Sequence, residues 1–217
     1  MNKYERILGG LFGVACGDAL GGTLEFMSKG EIERKASYYA HRATGGMSAG
    51  NGSLMRRLPV ALYYNDVDKM LEITASQSML THYDGKAAEA CKFYNMLAYR
   101  YLNDKPKIPT IEECIEKYPD YKQVFRLTKK ELKPSGYVLD TLICALWCFI
   151  NTSSFEDAVC EAANLGGDAD TTAAITGGMA GVYYGYDAIP GRWKEKILVK
   201  EQLTSIAKRI IIDNSKM

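Results

Sequence analysis

Apolar side chains along this chain recur at intervals of three and four residues, and no stretch longer than a few residues alternates with the period of two that a half-buried strand requires. That periodicity restricts the fold to helices packed on helices, so the sequence predicts an all-α architecture. At 217 residues without an internal repeat, the chain is long enough for one core, and residues 1–217 are expected to form a single compact helical bundle. The first predicted helix, Tyr4 to about Ala19, carries Ile7, Leu8, Leu11, Phe12, Val14 and Ala15 on a broad face. Gly9, Gly10, Gly13 and Gly17 would let another backbone approach it closely, so it is expected to be buried. Asp66 and Asp84 are expected N-caps of the next two long helices. Thr110 to Glu113 has a capping-box pattern within a lysine-rich stretch, Asn103 to Ser135, expected to be loop and short helix. Further helices are predicted over Tyr137 to Ile150, over Phe155 to Asn164 with Ser154 as cap, and over Thr171 to Tyr184. The last is rich in Ala and Gly and is expected at the centre; Trp193, Ile197, Ile206 and Ile210 mark one or two closing helices.

Charge removes several functions. Lys and Arg number 27 against 26 Asp and Glu, a formal net charge of +1, which offers no excess for gripping a phosphate polymer or an anionic membrane. Neither a nucleic acid nor a membrane is an expected partner. The longest apolar run, Leu142 to Ile150, is far short of the roughly 20 residues that span a bilayer. Glu5 within the basic start and Gly17-Asp18 in place of a small-residue cleavage site argue against a signal peptide. The six cysteines form no CxxC or Cys/His pattern, so neither a zinc site nor a disulfide framework is expected, and a cytoplasmic setting fits.

Four segments carry chemistry. Gly166-Gly167-Asp168-Ala169-Asp170-Thr171-Thr172 concentrates oxygens between two helices. Residues two apart on a helix diverge, so Asp168 and Asp170 converge on one ion only if this is a turn, which the paired glycines permit. Such ligands would favour a hard cation over zinc; the alternative is an N-cap, with Asp170 accepting backbone N–H bonds. Gly45 to Ser53 is glycine-rich and opens onto the apolar run Leu54 to Tyr64, so it is either a nest for phosphate oxygens or a flexible turn. It lacks the Gly-Lys-Ser/Thr of a P-loop and follows no strand. Gly17-Asp18-Ala19-Leu20-Gly21-Gly22 leads to Glu25-Phe26, where Glu25 could serve as acid, base or gate. Asp18, at a helix C-terminus, calls for a donor such as Arg56 or Arg57. Thr81-His82-Tyr83-Asp84 places one of two histidines at a helix start, as a ligand contact or a space filler.

In this order the segments resemble the ADP-ribosylglycohydrolase family, which includes the dinitrogenase-reductase-activating glycohydrolases and the ADP-ribosylhydrolases. The resemblance runs through Gly-Asp-Ala-Leu-Gly with Glu25-Phe26, Ser48 to Arg56, Thr81-His82-Tyr83, Ser135 to Val138 with Thr141-Leu142, and Asn164 to Thr171, covering most of the chain. It implies an all-α fold that binds Mg²⁺ or Mn²⁺ beside a ribose and cleaves the glycosidic bond between ADP-ribose and an acceptor. By the same resemblance, Asp168, Asp170 and Thr171 match metal ligands and Glu25 matches an acid at the catalytic mouth. Ser48, Ala49, Gly50, Asn51 and Gly52 match a diphosphate-binding loop, while His82 and Tyr137 match positions near the nucleotide. The chain departs from the family in one place: residues 27 to 49 replace a longer segment whose Thr-Asp-Asp-Thr completes the metal pair, and they contain no aspartate. One bound ion is therefore expected rather than two. The expected function is metal-assisted hydrolysis of an ADP-ribosylated protein or small ADP-ribose derivative, weakened by that loss. A catalytically impaired ADP-ribose or nucleotide binder is the alternative, and a degenerate homologue that retains only the packing is a third.

Overall fold

The computed structural model of the protein describes residues 1–21, 41–42 and 44–214, without the side chains of residues 18–21. Helices account for the regular structure, and among the described residues there is no strand, only an isolated antiparallel bridge between Gly50 and Tyr137. The elements are α1 (Lys3–Gly21), α2 (Gly52–Met55), α3 (Leu58–Tyr63), α4 (Val67–Met79), α5 (Gly85–Leu102) and α6 (Lys107–Lys117). They continue with α7 (Val138–Ile150), α8 (Phe155–Ala163), α9 (Ala169–Tyr184), α10 (Gly191–Lys194) and α11 (Lys200–Asn214).

The centre is an antiparallel pair, α1 and α9. A Cβ on Gly13 would collide with the carbonyl oxygen of Gly177, one on Gly9 with that of Gly181, and one on Gly17 with that of Ala173. The spacing of four on α1 therefore meets a spacing of four on α9, so that the backbones touch where any larger residue would hold them apart. Every residue of α9 from Ala169 to Val182 is buried, as an all-round apolar helix must be. Helices α5, α7 and α8 pack against α9, and α11 against α1. The buried apolar side chains of these helices belong to one core that includes Phe12, Tyr94, Leu142 and Phe149.

Local chemistry places most of the ends. Asp66 Oδ1 accepts the Lys69 N–H at 2.8 Å, Asp84 Oδ1 that of Lys86 at 2.8 Å, and Ser154 Oγ that of Asp157 at 3.0 Å. The capping box expected at Thr110 is corrected: α6 starts at Lys107 behind Pro106, and Thr110 is buried inside it. Pro109 is tolerated in the first turn because the N–H it lacks would have no intrahelical acceptor there, so the helix begins ahead of it. A reciprocal Thr–Glu box does form further on, where Thr128 N donates to Glu131 Oε2 at 2.8 Å. The six cysteines are free thiols, and burial pushes Cys16 up to about 11 and Cys144 up to about 12. No described helix is long and apolar enough to cross a membrane.

Candidate functional site

Three loops remote in sequence are tied together at one end of the bundle. The Val138 N–H donates to Ala49 O at 3.0 Å and the Asn51 N–H to Gly136 O at 3.1 Å, so residues 49–51 run antiparallel to 136–138. The Asp168 N–H donates to Pro134 O at 3.1 Å, which fastens the acidic turn to the same loop. Gly166 and Gly167 make that turn at φ 72° and 60°, and a Cβ on Gly167 would collide with Pro134 O. Side chains complete the junction: Asn51 Nδ2 donates to Asp168 Oδ2 at 2.5 Å and to Thr141 Oγ1 at 2.9 Å, and Thr141 Oγ1 donates to Ser135 O at 2.7 Å.

The acidic turn opens α9. Asp168 occupies the N-cap position with no side-chain bond to the helix, and Asp170 lies inside the first turn, where its Oδ1 accepts the Thr171 N–H at 2.7 Å. The reading of Asp170 as the N-cap is thereby corrected, because the helix begins two residues before Thr171. Asp170 is 8% exposed, and the Thr171 hydroxyl donates to Met55 Sδ at 3.4 Å. In type, two carboxylates and a hydroxyl suit Mg²⁺ or Mn²⁺ better than zinc. In number they fall short of the six oxygens of such an ion, and Asp168 is already engaged by Asn51. Among the described residues no three His, Cys, Asp or Glu side chains converge.

Behind the loop stands His82. A Cβ on Gly50 would lie 3.2 Å from its Nε2 and one on Gly52 3.3 Å from its Cε1, so the imidazole supports the loop's glycines. Its Nδ1 is 2.8 Å from Thr81 Oγ1, and burial, then the charges of Arg56 and Arg57, hold its pKa below the usual imidazole value. Arg56 joins the same parts, donating to Gly52 O and to Thr81 Oγ1. Ser48 Oγ is 2.6 Å from His41 Nδ1. A pocket of about 580 Å³ opens beside the loop, lined by Met47, Ala49, Gly50, Asp84, Lys86 and Tyr137, the last 42% exposed.

The structure thus brings Ala49, Gly50, Asn51, Gly52, His82, Tyr137 and Asp168 into one neighbourhood, with Asp170 and Thr171 on the next turn. Glu25 and most of the shortened interval lie outside the described residues, as does the Asp18 side chain. Of the donors expected for Asp18, Arg56 serves Gly52 and Thr81, and the Arg57 guanidinium has no hydrogen-bond partner among the described residues. Sequence reasoning did not single out Thr141, which anchors Asn51, although it stands within the motif that follows Tyr137. It also missed Lys86 and Asp84 as pocket walls, since a helix cap and a surface lysine carry no signal of their own.

The loops joined at Asn51 and the buried carboxylate define a helical protein with an oxygen-rich site beside a glycine loop. The ADP-ribosylglycohydrolase family model matches residues 1–42 and 34–216, and the chain belongs to that family. It is 31% identical over 189 residues to an ADP-ribosylarginine hydrolase Tri1 of Serratia proteamaculans, a match covering 82% of this chain and 50% of the relative. Against the Pseudomonas putida Tri1 it is 32% identical over 173 residues, 75% of this chain and 46% of the relative. The chain thus spans about half the length of these two relatives. The ADP-ribosyl-[dinitrogen reductase] glycohydrolase of Rhodospirillum rubrum is 25% identical over 270 aligned positions, covering 91% and 92% of the two chains. That alignment exceeds this chain's 217 residues, so the relative carries residues that this chain lacks. A solved structure titled ADP-ribosylglycohydrolase-related protein complex superposes with a TM-score of 0.82 at 27% identity, covering 98% of this chain and 99% of that one.

Proposed function

We propose that the protein hydrolyses the glycosidic bond between ADP-ribose and an acceptor, an ADP-ribosylated protein or a small ADP-ribose derivative, at the junction of the Ser48–Gly52 loop and the Asp168–Thr171 turn. The observation that carries this reading is the Asn51 amide, which spans from the loop to Asp168 and makes the glycine cradle and the acidic turn one site. In it, backbone N–H groups of the Ser48–Gly52 loop other than that of Asn51, which Gly136 O holds, receive the diphosphate, His82 keeps the loop's glycines in place, and the exposed Tyr137 ring offers a face to the nucleotide. The distal ribose then rests against the hydrogen-bonded Asn51–Asp168 pair. Asp168, Asp170 and Thr171 would hold one Mg²⁺ or Mn²⁺, whose positive charge, when bound, favours departure of the acceptor. The role assigned to Glu25 is to position the attacking water.

The test is incubation with ADP-ribosylated arginine and serine peptides, with and without metal, scored for released ADP-ribose. Release that disappears in Asp168→Ala and in Glu25→Gln is the expected result. A second reading, an ADP-ribose binder without turnover, draws on Asp168 being already engaged by Asn51 and on the shortfall of ligands. It is supported if ADP-ribose binds by calorimetry while no peptide is cleaved, and both readings fall if neither occurs.

A further inference from the structure

A buried cation stands behind the glycine loop, and nothing in the described structure neutralises it. Arg57 is 0% exposed, and its Nε, Nη1 and Nη2 all lack a hydrogen-bond partner. A guanidinium does not shed its proton in a protein, and a charge buried without a partner is costly. Among the described residues, the titratable groups that face it are Cys91, Tyr94, Arg56 and His82, and none of these is a carboxylate. Its position is set: its backbone begins α3, and its carbonyl accepts from Asn95 Nδ2 at 3.3 Å. One turn of helix, α2, separates it from the loop, and His82, within reach of its charge, packs on Gly50 and Gly52. Arg56 does not share this property, being exposed and committed to Gly52 O and Thr81 Oγ1.

We propose that Arg57 is a positioning residue that selects polyanionic ligands at the Ser48–Gly52 loop: its charge sets a positive potential there, and a bound diphosphate supplies negative charge that the described residues do not. The inference rests on reading that loop as the diphosphate site and adds the residue that makes it discriminate by charge. Field lines from a buried charge run through a medium of low dielectric and are weakly screened by salt, unlike those of surface lysines such as Lys86.

The experiment compares wild type, Arg57→Met and Arg57→Lys by calorimetric titration with inorganic pyrophosphate, ADP and adenosine in metal-free buffer, together with the melting temperature of each ligand-free protein. Wild type is expected to bind pyrophosphate and ADP. Arg57→Met should weaken both roughly tenfold, leave adenosine unchanged and melt higher without ligand. Arg57→Lys, which keeps the charge, should restore pyrophosphate and ADP affinity. The inference is overturned if Arg57→Met binds pyrophosphate and ADP as wild type does, if wild type binds neither, or if Arg57→Met melts lower or does not fold. Wild type that binds pyrophosphate through Arg57 but cleaves no ADP-ribosylated peptide would remove the hydrolase reading and leave this one standing. Peptide cleavage with wild-type pyrophosphate affinity in Arg57→Met would do the reverse.

Discussion

One amide side chain closes the site. Asn51 donates its two hydrogens to Thr141 Oγ1 and Asp168 Oδ2, so Asn51→Ala leaves a half-buried carboxylate without its donor. The expected cost is about 1–3 kcal/mol in urea denaturation, accompanied by loss of ADP-ribose release from the peptides. His82 is the residue that senses pH here. Because burial and the two arginines depress its folded pKa, the unfolded chain takes up its proton first as pH falls below the ordinary imidazole value near 6.5. Stability contributed by neutral His82 is thus present above that value and lost as pH falls toward the depressed one. Replacing it by Gln should flatten the melting temperature between pH 6.5 and the acid limit of that window; an unchanged slope would assign the titration elsewhere. The Asp-x-Asp-Thr turn, the Asn-Gly loop and His82 were legible as residues. What their sequence positions could not reveal is that Asn51 meets Asp168, since that contact joins residues 117 apart.

At the level of elements, the contact of α1 with α9 organises the bundle. Gly13→Ala would place a methyl group against the Gly177 carbonyl, a backbone atom that cannot yield alone, and is expected to destabilise by about 3 kcal/mol. Gly85→Ala is the control: it begins α5 with nothing within 4 Å of an added Cβ, and should stabilise by about 0.4–1 kcal/mol. Denaturant titration of the two variants checks both, and similar effects would refute the close packing of α1 on α9. The four-residue spacing of glycines announced that a backbone would come close, and the Ala/Gly-rich helix announced a central place. The capping box at Thr110 failed because a local pattern competes with its neighbours: Pro106 and Pro109 set the start of α6 four residues earlier, and the Thr–Glu reciprocity formed at Thr128 instead.

For the molecule as a whole, the four motifs that lie among the described residues, from Ser48 to Thr171, gather at one end of the bundle. If Asp168, Asp170 and Thr171 take one divalent ion in the folded state alone, Mg²⁺ or Mn²⁺ at a hundredfold excess over its dissociation constant should add about 2.7 kcal/mol of stability. A thermal scan with millimolar metal reads this as a raised melting temperature that Asp168→Ala abolishes. An equal rise in the variant would place the ion elsewhere.

By itself the sequence determined the class of fold, because helical periodicity, caps such as Asp66 and Ser154, and glycine spacing act over a few residues and are written in their own neighbourhood. It also carried the family, through motifs whose order along the chain does not depend on knowing where they meet. The tertiary structure alone decided that Thr141 and Asn51 lock the loop to the acidic turn, that His82 supports Gly50 and Gly52, and that Arg57 is buried without a counter-charge among the described residues. Those outcomes depend on which distant side chains share a volume and on how much water is excluded from it, and neither quantity is a property of any local stretch of sequence.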